Sequence, residues 1–166
     1  MNNAPLPMRI PNPNPYYQGR IDPFFTALDA LISKNETAVN RVFTEQKANP
    51  RAVGVMATVL LHPKIDMDYV ERVSEKYGLQ NEFGYLARTA LQLVDDGPSS
   101  EHFQKEFAAF QKQFEPTRKP ALEKLARAEG QSSISRFTLR EFRKHYEVYG
   151  HFVYNGATTL PFSKRT

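Results

Sequence analysis

The chain has 166 residues, 40% hydrophobic and 24% charged, with no cysteine and a net charge of +4, the size and balance of one globular domain with a core of its own. That composition excludes a disordered polyelectrolyte, and the missing thiols exclude disulfides, a thiolate nucleophile and a thiolate metal site. The longest apolar run, Val53 to Leu61, is broken by Gly54 and Thr58 and falls short of the roughly 20 residues that span a bilayer.

Charge is unevenly placed. Residues 1–20 carry two basic groups and no acid, residues 21–111 nine basic and thirteen acidic, and residues 112–166 eleven basic and five acidic, a local +6. A basic final third behind an acidic body suits either an acidic protein surface or nucleic acid. A solvated face of modest positive excess is the plainer reading. No stretch has the charged start, apolar middle and small-residue cleavage site of a signal peptide. The expectation is a soluble chain without a membrane span, intracellular rather than secreted, its compartment otherwise open.

In chain order, the first segment is MNNAPLPMRIPNPNPYYQGR. Pro11, Pro13 and Pro15 fix φ and push Asn12 and Asn14 towards extended conformations, so residues 1–21 are expected to form an extended proline-rich arm. Pro11, Pro13, Tyr16 and Tyr17 are its candidate contact residues. Helix punctuation follows. Asp22-Pro23 and Asn49-Pro50 each set a capping side chain before a proline suited to the first helical position. Phe24, Phe25, Leu28, Leu31 and Ile32 fall at helical spacing. Asn35 can cap a segment with Val39, Val42 and Phe43, either a second helix or the continuation of a bent one. Pro50 to Leu61 is apolar nearly all round and reads as the central buried helix.

Asp66 begins a helix carrying Tyr69, Val70, Val73 and Tyr77, closed by Gly78. Asn81 opens the next, with Phe83, Leu86, Ala90, Leu91 and Val94, closed near Gly97. Ser99 or Ser100 opens a helix whose Phe103, Phe107, Phe110 and Phe114 make one aromatic stripe, either core or an anchor surface for a partner. Thr117 starts a segment ending at Gly130, and Thr138 to Tyr149 forms the last helix. The expected fold is therefore all-α, a compact bundle of about seven or eight short helices. A short helical solenoid is the alternative, although no fixed-period repeat signature is present. The helical domain is taken as residues 22–150, and residues 151–166 as an irregular C-terminal arm.

Chemistry finds little support. Asp66 and Asp68 sit where carboxylates cap a helix, and Asp95-Asp96-Gly97 reads as a turn without the further ligands a metal needs. The histidines 62, 102, 145 and 151 include no metal-binding i, i+4 pair. Glu141 and His145 have the spacing of a surface ion pair. Ser132 and Ser133 lack the strand–turn–helix setting of a nucleophile elbow. No catalytic residue, metal or cofactor is assigned.

The stretch from Leu125 to Phe137 has the outline of a helix-turn-helix, but its register fails. Arg136 stands six after Gly130, where an apolar residue must seat the second helix, and Glu129 takes the buried place before the glycine. A helix end followed by a serine-rich loop is the better reading. From Arg136 to Tyr154, cations interleave with rings as in single-stranded nucleic-acid binders. On a helix, however, Phe142, Tyr146 and Tyr149 share the inward face of Leu139, leaving Arg140, Arg143 and Lys144 outside. With Arg136, these are the candidate contacts of the basic face. The leading expectation is a non-enzymatic interaction module, an adaptor or small subunit whose partner is another protein or a multi-subunit complex. A nucleic-acid binder using the basic third is the alternative, and a secreted effector of a host protein is the next.

Overall fold

Residues 22–159 are described by the computed structural model, and their backbone forms α-helices joined by turns, with no strand among them. In chain order these are α1 (Pro23–Ile32), α2 (Glu36–Thr44), α3 (Pro50–Val59), α4 (Met67–Lys76), α5 (Gln80–Asp96), α6 (Gln104–Thr117), α7 (Lys119–Ala126) and α8 (Leu139–Asn155). A single 3-10 turn, Glu101–Phe103, leads into α6.

Side chains cap four of the eight α-helix starts among the described residues. Asp22 Oδ1 accepts from the N–H groups of Phe24 and Phe25 at 3.0 and 3.3 Å, with Pro23 in the first helical position. These donors have no partner inside the helix, which is why a short acceptor is favoured before them. Asn35 and Asp66 cap α2 and α4 in the same manner. The first two segments are separate helices rather than one bent helix. Lys34 lies at φ +58, and the Asn35 and Lys34 N–H groups turn back to Ala30 O and Leu31 O, closing α1 before α2 begins. Gly78, at φ +65, ends the α4 segment with the same pair of return bonds.

Four ends differ from the sequence reading. Asn49 makes no side-chain cap. Helix α5 begins at Gln80, and Asn81 instead donates its side-chain amide to Gln131 O at 3.2 Å. Helix α6 runs through Pro116 to Thr117, so α7 starts at Lys119 rather than at Thr117. The largest difference lies at the C-terminal end, where α8 continues through Gly150 to Asn155. The helical domain therefore passes the expected boundary at residue 150. Gly150 is buried, and Val153 beyond it is fully buried, so packing holds the backbone helical despite the glycine. The actual terminator is Gly156, in the left-handed conformation at φ +73. Of the rest of the expected arm, residues 156–159 follow α8 as turn and irregular backbone, and residues 160–166 lie outside the described residues, as does the N-terminal arm.

The core sits around α3. Val53, Val55, Ala57, Val59, Leu60 and Leu61 are all at 0% exposure, as the all-round apolar pattern requires. Helix α3 packs on α1, α5 and α8, while α5 lies on α7, and α6 bridges α7 and α8. A solenoid would confine contacts to sequence neighbours, so α3 against α8 makes this a bundle. Phe24 of α1 stacks on Tyr149 of α8 with centroids 4.8 Å apart and planes 6° from parallel. The stripe Phe107, Phe110 and Phe114 is core, and Phe103, half-buried at its edge, stacks on His151 at 5.2 Å. Residues 127–138 form a turn-rich connection rather than a second helix of a helix-turn-helix, anchored by buried Ile134 and Phe137.

Candidate functional site: the outer face of the last helix

Helix α8 is set by its first turn. The Thr138 hydroxyl accepts from Glu141 N–H at 3.3 Å, and the Glu141 carboxylate accepts from Thr138 N–H at 2.8 Å. This reciprocal box fixes the helix start and its rotation. Phe142, Tyr146, Gly150 and Val153 then point inward and are buried. Arg140, Lys144 and Val148 are exposed at i, i+4 and i+8 on the opposite side. Val148 is 58% exposed, and Leu139, in the first turn, is 41% exposed.

The acids near this face are already engaged. Glu141 belongs to the capping box, which explains why it makes no ion pair with His145. Glu147 accepts from the Ser99 backbone N–H and, at 2.7 Å, from its hydroxyl. Asp96 takes Arg143. The Arg143 guanidinium is thus a strap from α8 to the end of α5, and it leaves the set of outward-facing cations proposed from sequence. Arg136 lies exposed before the helix, its guanidinium 4.8 Å from the Phe137 ring centroid. Arg136, Arg140 and Lys144 form no ion pair among the described residues.

Two further members are Arg51 and His145. A Cβ added to Gly54 of α3 would lie 2.6 Å from His145 Nε2, so the imidazole rests directly against α3. Burial holds His145 below its usual range, and the charges of Arg51 and Lys144 push the same way. Exposed Arg51 of α3 and exposed Lys144 of α8 thus both act on this imidazole. Sequence reasoning missed Arg51, because its neighbourhood is tertiary. Val148 was legible in principle, standing four residues beyond Lys144.

The other candidates have structural roles. Asp66 caps α4 and pairs with Lys34 at 3.2 Å. Ser133 accepts from the Gln46 amide at 3.1 Å and donates to Glu82 at 3.3 Å, tying the 127–138 connection to the turn after α2 and to α5. Among the described residues no three His, Asp or Glu side chains gather in a way that could hold a metal ion, and no helix is long and apolar enough to cross a membrane. Pro11, Pro13, Tyr16 and Tyr17 lie outside the described residues. Comparison with protein-family models, curated proteins and solved structures finds no match to this chain.

Proposed function

We propose that the chain is a non-enzymatic helical interaction module, an adaptor or small subunit of a larger protein assembly, that lays the outer face of α8 on an acidic protein surface. One observation carries the reading. Arg140, Lys144 and Val148 stand exposed in one line, while the neighbouring Glu141, Glu147 and Asp96 are occupied by bonds within the chain. Cations with an exposed apolar side chain among them suit a docking strip, in which charge sets register and the apolar group supplies desolvated contact.

Nucleic acid is the second reading, supported by the same cations and by Arg51. Of the rings interleaved with those cations, Phe137, Phe142 and Tyr146 are buried, and Tyr149, Phe152 and Tyr154 are half-buried against the core, so this reading rests mainly on its electrostatic half. The test is co-purification of the tagged full chain from its source cell, with and without nuclease, beside the variant R140E/K144E. The proposal expects a companion protein that survives nuclease and is reduced about 10-fold or more by the double reversal. Companions that vanish with nuclease would give the second reading precedence. Companions retained in full by the variant would remove α8 from the interface.

A further inference from the structure

Helices α3 and α8 pack together, and at Gly54 the missing side chain opens a crease that the edge of the His145 ring enters. A Cβ there would lie 2.6 Å from Nε2 and 2.8 Å from Cδ2. The ring is half-buried, makes no hydrogen bond among the described residues and keeps both nitrogens open to solvent. Fully buried His62, by contrast, uses both of its nitrogens, on Lys64 N–H and Ala157 O. His145 therefore has hydrogen-bonding capacity that the fold does not spend.

Among the described residues, three charges act on this ring: Arg51 from α3, and Lys144 and Glu141 from α8. Arg51 and Lys144 are exposed and form no ion pair among the described residues. Glu141 acts least on the ring, and its Oε1 is held by the N–H and hydroxyl of Thr138 at 2.8 and 3.3 Å. Burial first, then Arg51 and Lys144, keep the imidazole below its usual range and so neutral at pH 7. Two unpaired cations and an open imidazole, drawn from two helices, lack only an acceptor oxygen between them.

We infer that this crease receives a carboxylate of the docked partner, which Arg51 and Lys144 attract by charge and His145 meets with a ring N–H. The inference rests on the docking reading and names where on the α8 face the partner's acidic side chain enters. Beside a carboxylate the imidazolium becomes the favoured form. The docked ring then holds its proton at a higher pH than the free ring, so docking draws a proton from water and tightens as pH falls. A carboxylate is favoured over a nucleic-acid phosphate because the rings interleaved with these cations are buried or half-buried rather than free to stack on bases.

The experiment follows the histidine side-chain resonances of the full chain from pH 8 to 5.5, alone and with poly-L-glutamate as the probe. With the probe, His145 should bind its proton about ten-fold more tightly, while the other histidines titrate as before. Binding of poly-L-glutamate, measured by isothermal titration, should strengthen about three-fold or more from pH 8 to 6 and lose that dependence in His145→Gln. Arg51→Gln, at an exposed position, should at least halve both effects while the protein stays folded. A probe that moves the Arg140 and Lys144 amide resonances but leaves His145 titrating as before would overturn the inference and leave docking on the outer face intact. No response anywhere on α8 would overturn both. An oligothymidylate that acts on His145 as strongly as poly-L-glutamate would overturn the choice of a carboxylate.

Discussion

Gly54, Gly84 and Gly78 are glycines for different reasons, and substitution separates them. A Cβ on Gly84 would come within 2.5 Å of Glu129 N and 2.7 Å of its Cα, both backbone atoms. Gly84→Ala therefore has to push the end of the α7 segment off α5, and about 3 kcal/mol of stability should be lost in urea denaturation. At Gly54 the obstacle is the His145 ring, a side chain that can turn. The alanine also gains about 1 kcal/mol of helix propensity, so a smaller net loss near 1 kcal/mol is expected. Gly78 meets nothing within 4 Å but holds φ +65, so Gly78→Ala should cost about 1 kcal/mol from backbone strain alone. Equal losses at Gly84 and Gly78 would contradict the packing described. His62 offers a pH test. Lys64 N–H donates to its Nδ1 at 3.1 Å, so Nε2 carries the proton and donates to Ala157 O at 2.8 Å. A second proton would have to sit on Nδ1, facing that N–H donor. Burial, the leading cause, depresses His62, and burial likewise depresses His145 and His151. For a base held low in the fold, the unfolded chain takes protons first. Stability is then complete above an unfolded value of about 6.5 and declines as pH falls through it. Denaturant midpoints should drop between pH 7.5 and 5.5, and His62→Gln, which keeps a donor for Ala157 O, should flatten that slope. An unchanged slope would assign the dependence to the other two histidines.

On the docking reading, helix α8 has a structural and a binding face that mutation should divide. Its start depends on the Thr138–Glu141 box, so Thr138→Ala should cost about 1 kcal/mol in thermal or urea unfolding. Its outer face should carry no stability: R140E/K144E is expected to shift folding by no more than about 0.5 kcal/mol per site. A larger loss would mean those cations serve the fold. Side-chain-capped starts were legible in the sequence at Asp22, Asn35, Asp66 and Thr138, each of which makes the cap its position implies, whereas Asn49 and Asn81 have the same residue type and cap nothing. Ends governed by packing were not legible. Gly150 looks like a stop, but Val153 behind it is buried, and tertiary contact overrides local preference there. Arg140 and Lys144 lie exposed on the outer side, as helical spacing expects, whereas Arg143 pairs with Asp96 across 47 residues of chain, a contact no local spacing reveals.

Across the molecule, the all-α bundle was legible because apolar residues recur at helical spacing throughout and nearly every connection is short. Which helix touches which was not, since α3 on α8 and α1 on α8 join segments about a hundred residues apart. Arg51 enters the basic face only through that topology. The positive final third thus divides into an outer strip on α8, a strap at Arg143 and a buried guanidinium at Arg118, three different uses of one charge excess. The most direct test of the docking reading is photo-crosslinking in the source cell, with p-benzoylphenylalanine placed at Val148 and, as a control, at exposed Glu75 of α4. The account predicts a discrete protein adduct from position 148 that is absent from position 75 and lost when R140E/K144E is added. No protein adduct at 148, or the same adduct from both positions, would contradict it.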